Sequence, residues 1–345
     1  MHFFGQTKEQ ISAMIIELGE PKWRAVQLWN WVYKNGITSF DSMKNIPLRM
    51  RNQLNERISL TLPRVVRKEK SFDGTEKFAI SFDDGEVVEI VLIPEEDRNT
   101  LCVSSQIGCC VNCAFCFTGT QKFSRNLDVH EIVGQVLLAR NILNDSGALN
   151  RKRTLTNIVF MGMGEPLYNY DNVVAAIRII MDPNGLAFSK RRITLSTSGI
   201  VPFIDRCCVD LGVNLAISLH APNDEIRSQI MPINLQYDLA QLMTSCRKYQ
   251  EVSDARRITF EYVMLKGIND SISHARELIH LIKGISAKVN LIPWNPWLGA
   301  KFESSTMAQI EQFEKILNTA NIQTLIRKSR GQDISAACGQ LKTAT

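Results

Sequence analysis

Residues 100–119 read TLCVSSQIGCCVNCAFCFTG. An apolar, strand-like run (TLCVSS, 100–105) leads into a loop that holds four of the chain's nine cysteines within positions 109–116. The rest of the chain decides which kind of sheet that strand belongs to. Strand-like runs recur at 157–162, 192–197, 213–218, 258–264, 288–294 and 322–327. Amphipathic stretches such as DVHEIVGQVLLARNIL (128–143) and TMAQIEQFEKILNTA (306–320) lie between them. Strict β/α alternation implies a parallel sheet with helices packed against it. The fold class is therefore α/β, an incomplete or full β/α barrel, with an open doubly wound sheet as the alternative.

Upstream of residue 100 the period differs. Thr7 and Gln10 have capping-box spacing, and Ile11, Met14, Ile15 and Leu18 repeat at i, i+3, i+4, i+7. Pro21 opens a second helix carrying Trp23, Val26, Trp29 and Tyr33, which stops at Asn35-Gly36. Pro47 opens a third, with Met50, Leu54 and Ile58. Phe78, Ile80 and Phe82 then alternate with polar neighbours between Asp73-Gly74 and Asp84-Gly85, and EVVEIVLIP (86–94) reads as a strand entering the main domain. The expected division is a helical unit with its own apolar core (1–60), a β-rich connector (61–99) and the barrel (100–345).

The 345 residues are 45% hydrophobic, enough for a large core. They contain no run of about 18 apolar residues to span a membrane, and MHFFGQTKEQ lacks the regions of a signal peptide. A cytoplasmic protein is expected. In that reducing compartment clustered cysteines serve as metal ligands or catalysts more often than as disulfides. The net charge of +5 is compatible with a nucleic-acid partner without establishing one.

Chemistry in β/α folds gathers past the C-terminal ends of the strands. There lie the cysteine loop, GMGEP (162–166), Ser196 and Ser198, SLH (218–220), KGIND (266–270) and WNPW (294–297). The basic triplets RKR (151–153), KRR (190–192) and ARR (255–257) precede strands and belong to the opposite face. The cations of the functional face are Lys122, Arg125, Arg327, Lys328 and Arg330.

Cys109, Cys113 and Cys116 are spaced C-x3-C-x2-C. Three thiolates suit a [4Fe–4S] cluster whose fourth iron stays open for a substrate, whereas structural zinc wants four ligands. Cys110 or Cys102 would complete a zinc set, and Cys110 also permits a C-x2-C-x2-C register, so spacing alone leaves both metals open.

The motifs CVSSQIGC, CAFCFTG, FSRNL, FMGMGEPL, TLSTSG, AISLHAPND, IPWNPW and AACGQL, in this order from about Trp23 to Cys338, resemble the RlmN/Cfr family of radical-SAM RNA methyltransferases. CVNCAFCFTGTQKFSRNL is more similar to its C2-methylating members than to the C8-methylating ones. The resemblance implies an adenine-C2 methyltransferase acting on 23S rRNA and tRNA, a monomer drawing electrons from a donor such as flavodoxin. It implies one [4Fe–4S] cluster on Cys109, Cys113 and Cys116, and S-adenosylmethionine (SAM), two per turnover, bound by Gly164, Glu165, Ser196, Ser218, Leu219, His220 and Asn295. A cysteine matching Cys338 takes a methyl group from one SAM. A deoxyadenosyl radical from the second SAM activates that methyl for attack on adenine C2, forming a protein–RNA adduct. Glu89 matches the base that removes the C2 proton, and Cys102 the thiol that attacks the Cys338 sulfur and leaves a disulfide.

Taken singly, these residues have plainer readings. A late free cysteine is usually a small buried side chain, His220 alone is more often a hydrogen-bonded structural residue, and Trp294 and Trp297 suit core packing as well as base stacking. Cys207, Cys208 and Cys246 lie in helical stretches with no assigned role. The register makes a direct prediction. Cys110→Ala should leave the iron absorbance of anaerobically reconstituted protein nearly unchanged, and alanine at Cys109, Cys113 or Cys116 should abolish it. A colourless Cys110→Ala protein would mean that the register is wrong.

Overall fold

The computed structural model describes residues 1–145, 153–252 and 257–343. Its strands are β1 (Arg64–Lys70), β2 (Glu76–Ser81), β3 (Val87–Glu95), β4 (Arg98–Cys102), the short β5 (Gln106–Ile107) and β6 (Arg125–Asn126), β7 (Leu155–Phe160), β8 (Ile193–Thr197), β9 (Asn214–Ser218), β10 (Ile258–Met264), β11 (Ala287–Pro293) and β12 (Gln323–Ile326). All seven strand-like runs from residue 100 onward are strands. They form the parallel part of one ten-stranded sheet in the order β4-β7-β8-β9-β10-β11-β12, and β3, β2 and β1 extend it antiparallel beyond β4. The stretch set apart as a connector is thus hydrogen-bonded into the barrel sheet, with Val91 opposite Cys102. Among the described residues β12 pairs only with β11 and β1 only with β2, so the barrel is incomplete.

The helices are α1 (Lys8–Glu17), α2 (Trp23–Trp29), α3 (Leu48–Arg57), α4 (Val129–Ile142), α5 (Tyr170–Met181), α6 (Val201–Asp210), α7 (Asp224–Ile230), α8 (Leu239–Val252), α9 (Ile272–Leu281) and α10 (Met307–Thr319). Among the described residues no helix is long and apolar enough to cross a membrane. The capping box of α1 is present, with the Gln10 amide donating to Thr7 Oγ1 at 3.2 Å and Thr7 N to Gln10 Oε1 at 2.8 Å.

One expectation for the N-terminal region needs correction. Trp23 and Val26 are 55% and 50% exposed; the buried stripe is Ala25, Leu28, Trp29, Val32 and Tyr33. The two stripes share Trp29 and Tyr33, and apolarity alone does not choose between them. The apolar core of the region is continuous with that of the barrel, in one cluster from Phe3 to Leu341. Polar contacts weld it to the barrel: Lys8 Nζ donates to Asp182 Oδ1 at 2.7 Å, Arg140 to Tyr33 O at 2.6 Å, and the His2 ring stacks on His130 at 3.9 Å.

The functional-face cations are also less free than the sequence suggests. Arg125 is bonded to both oxygens of Glu131 at 2.8 Å and to Asp84 at 2.6 Å, and Arg330 stands 3.9 Å from Asp73. Residues 190–192 form a turn before β8, at the end remote from the cysteine loop. In the other basic triplets, residues 151–152 and 255–256 lie outside the described residues.

Residues 331–343 bridge the gap left by the missing strand pairing. Gly331 N donates to Asp73 Oδ2 at 3.0 Å, and Asp333 accepts from Ser71 Oγ at 2.6 Å and Phe72 N at 3.3 Å. Further along, Phe117 N donates to Gly339 O at 2.7 Å and Thr118 Oγ1 to Leu341 O at 2.6 Å. The segment is held by polar contacts at both ends, not by a sheet ladder. Asp333→Ala removes two of them, each worth about 1 kcal/mol. Amide exchange over residues 331–343 should rise roughly thirtyfold while the barrel strands keep their protection. Unchanged exchange in the segment would show that it is not held this way.

Candidate active site

The cysteine loop is shaped by close backbone approach. Gly108 has φ +73°, and a Cβ there would lie 2.3 Å from the Lys122 carbonyl oxygen. Gly164 has φ +96°, with its Cβ position 2.5 Å from the Gln106 side chain. Both places demand glycine. Between them the loop is tied to three partners. Ala114 N donates to Ile230 O at 2.9 Å at the end of α7. Phe117 N reaches the C-terminal segment. The Phe115 carbonyl accepts both Trp294 Nε1 at 3.0 Å and Trp297 Nε1 at 3.1 Å, and Trp297 stacks on Phe117 at 4.9 Å. The two tryptophans therefore serve the loop through their N–H groups.

These ties close a cavity of about 170 Å³ at the C-terminal ends of the strands. Of the residues expected from sequence, Cys109, Cys113, Cys116, Gly164, Glu165, Ser196, Ser218, His220, Asn295 and Cys338 line it. Cys110 does not; it is exposed, with its sulfur 3.9 Å from the Gln106 amide. Leu219, Cys102 and Glu89 are also absent from the wall. Leu219, one residue past the end of β9, is fully buried, and its carbonyl accepts Arg227 Nε at 3.1 Å.

Burial raises the pKa values of all three loop thiols, Cys109 to about 12 and Cys113 and Cys116 upward as well. Without a metal they are thiols, and binding one would release protons. Among the described residues no group of three or more His, Cys, Asp or Glu is drawn together tightly enough for a single ion. Three thiols spread round a cavity wall suit the corners of a multi-iron cluster better than one tetrahedral centre.

The polar residues facing the thiols are firmly oriented. Glu165 accepts Ser198 N on one oxygen at 2.7 Å and Leu167 N on the other at 3.0 Å, while burial pushes its pKa up. Ser198 Oγ is buried without a protein partner. His220, at φ +59°, accepts Val263 N at Nδ1 (3.0 Å), so its proton sits on Nε2, and the ring meets Phe115 edge-on at 4.7 Å. Asn295 donates to Cys338 O at 3.2 Å and accepts Gln332 Nε2 at 2.7 Å.

Sequence reasoning missed Glu261 of β10; it placed Arg327 on the functional face without giving it a role, and both residues line the cavity. Glu261 lines the cavity, accepts Asn290 Nδ2 at 2.9 Å, and stands 3.6 Å from Arg327. An acid inside the otherwise apolar strand ITFEYVM was the signal available for it. Cys338, then Glu261, raise the Arg327 pKa, so this guanidinium stands charged beside the late cysteine. Cys102 is 7% exposed, and its pKa is pushed to about 12 by burial and then by Cys338.

Glu89 is fully buried in a cluster of charges. Its Oε1 meets Arg67 at 2.9 Å and Lys77 at 3.3 Å, both of which also reach Glu69, at 3.3 and 3.2 Å. Its Oε2 accepts the Lys342 amide at 3.0 Å. The C-terminal segment thus carries Cys338 and also covers Glu89.

Comparison with known proteins agrees with this arrangement. The radical SAM superfamily matches residues 103–281, and a family described as the ribosomal RNA large subunit methyltransferase N-terminal domain matches residues 1–60. The chain is 54% identical over 344 residues to the dual-specificity RNA methyltransferase RlmN of Rhodospirillum rubrum, covering 99% of this chain and 80% of that protein. It is 51% identical to the protein of the same name from Gluconobacter oxydans, covering 98% and 84%. The crystal structure of a radical SAM methyltransferase from Sphaerobacter thermophilus superposes with a TM-score of 0.93 at 43% identity, over 99% of each chain.

The site has a pH signature. Burial, then the Arg227 charge, lowers the His220 pKa to about 3. The unfolded ring titrates near 6.5. Between those values the unfolded chain binds more protons, so stability falls as pH drops below about 6.5. His220→Gln should flatten that fall between about pH 6.5 and 4 in denaturation of the metal-free protein. Equal slopes for variant and parent would contradict a buried neutral imidazole.

Proposed function

Because the chain belongs to the RlmN family of dual-specificity RNA methyltransferases, we propose that it methylates C2 of an adenine in 23S rRNA and in tRNA. The observation that carries this reading is a single cavity joining three cysteines of one loop to Cys338 from the far end of the chain. The residues present fit the cofactors of a radical SAM protein. Cys109, Cys113 and Cys116 would hold one [4Fe–4S] cluster, and Gly164, Glu165, Ser196, Ser218, His220 and Asn295 would hold SAM, two molecules being used per turnover. With both bound and an electron supplied by a donor of the flavodoxin kind, the cofactors would supply a carbon radical, able to add to an electron-poor ring carbon that is no nucleophile.

The chain's own groups supply the rest. Glu165, fixed by two backbone N–H groups, keeps lone pairs for an ammonium donor. Ser198 Oγ and the Nε2–H of neutral His220 are further polar partners for the cofactor. Leu219 would act through its carbonyl alone. Asn295 sets the backbone of Cys338, the proposed methyl carrier. Cys102, on the first barrel strand, is the proposed resolving thiol. Glu89 is the proposed base for the C2 proton. Its Oε1 is engaged by two cations, so Oε2 is the acceptor, free once the Lys342 amide withdraws. Movement of the segment that carries Cys338 would then uncover the base in the same motion. Residues 1–60 are the proposed RNA-recognition unit, 61–99 the connector and 100–345 the catalytic barrel.

Three variants incubated with RNA, SAM and reductant test these roles. Cys338→Ala should form neither methylated protein nor an RNA crosslink. Cys102→Ala should accumulate crosslinked protein, because it can add to adenine but cannot release it. Glu89→Gln should give little methylated RNA. If Cys338→Ala crosslinks and Cys102→Ala does not, the roles are reversed.

A further inference from the structure

Arg227 of α7 is 0% exposed, one of the largest fully buried side chains in the protein. A buried guanidinium is ordinarily matched by a carboxylate, since an isolated charge in a dry interior is strongly disfavoured. Among the described residues Arg227 forms no ion pair, and its four hydrogen bonds all go to neutral acceptors. Nε donates to Leu219 O at 3.1 Å, and Nη1 to Asn234 Oδ1 at 2.8 Å. Nη2 donates to Ser198 O at 2.6 Å and Ser218 O at 3.2 Å. The acid on its own helix, Asp224, is engaged elsewhere, by Asn234 Nδ2 and Leu239 N, each at 2.9 Å.

What stands beside Arg227 is the cysteine loop. Ala114 docks on Ile230 within the same short helix, and Ser198 and Ser218, whose carbonyls Arg227 holds, line the cavity with Cys113. Burial lowers the Arg227 pKa to about 10, and its neighbours Cys113 and then Asp224 act against that fall.

We propose that Arg227 is the counter-cation of the iron–sulfur cluster, a positioning residue that raises the cluster's reduction potential and fixes the carbonyls of Ser198, Ser218 and Leu219 behind the bound SAM. This rests on the reading that Cys109, Cys113 and Cys116 hold the cluster. Three thiolates with a cubane core carry net negative charge, and one electron from an external donor adds to it. A fixed cation at close range in a low dielectric favours the reduced form. A cation that forms no ion pair among the described residues would be matched by the cluster.

The test compares wild type, Arg227→Gln and Arg227→Lys after anaerobic reconstitution. Iron and sulfide are counted, the midpoint potential is measured by dithionite titration followed by electron paramagnetic resonance without SAM, and SAM affinity is measured separately. At equal iron content Arg227→Gln should have a more negative potential than wild type. Arg227→Lys keeps the charge but loses the fork, so it should hold the wild-type potential while SAM binds about tenfold more weakly. Equal potentials for wild type and Arg227→Gln at equal iron would overturn the inference. If the Gln variant does not fold, a Lys variant whose potential drops would overturn it as well. A wild-type chain that takes up no iron would sink the cluster reading itself, and this inference with it.

Discussion

The site depends on one carbonyl oxygen. Phe115 O accepts the indole N–H groups of both Trp294 and Trp297, joining the loop after the first barrel strand to the segment after β11. A closed barrel would hold those two regions through a ring of strand pairing. Among the described residues this sheet ends at β12 without returning to its start, so side chains and the C-terminal segment hold the mouth together. Placing the clamp on the residue before Cys116 fixes the last loop thiol against the segment that delivers Cys338. It also explains why two tryptophans stand beside a cofactor cavity without offering their faces to a base.

Three ionic arrangements lie at or near the cavity, and they differ in how their charge is matched. Glu89 and Glu69 share Arg67 and Lys77, two acids with two bases, so that cluster is neutral as it stands. Glu261 and Arg327 form a looser pair at 3.6 Å, leaving Glu261 Oε2 without a hydrogen bond and the guanidinium turned toward Cys338. Arg227 forms no ion pair among the described residues. Buried pairs seldom add net stability, because desolvation offsets their attraction. Their persistence around one cavity fits groups kept for what they do to neighbouring sulfur and carboxylate. The C-terminal segment links the first two arrangements, since it carries Cys338 and covers Glu89.

Much of this was legible in the sequence because it is local. The cysteine spacing, the strand-end motifs and the seven β/α units are short-range patterns, and the structure places ten of the thirteen expected site residues on one cavity wall. What the sequence hid is non-local. β1 reads RVVRKEK, an exposed edge strand with no apolar alternation to announce it. Two apolar stripes compete on α2, and only packing against the barrel selects Leu28 and Val32 over Trp23 and Val26. Arg227 lies in DEIRSQI, an ordinary amphipathic helix, where nothing marks a buried cation. Leu219 was inferred from its neighbours in SLH, and its side chain lies in the core.

Methylation of an adenine ring carbon at C2 is tested most directly by mass spectrometry of nucleosides from 23S rRNA and tRNA. The cells to compare lack the gene, with and without the gene restored. On deletion 2-methyladenosine should disappear from both RNAs, and it should return with the wild-type gene but not with a gene encoding Cys338→Ala. Unchanged 2-methyladenosine, or loss of 8-methyladenosine in its place, would contradict C2 methylation by this protein.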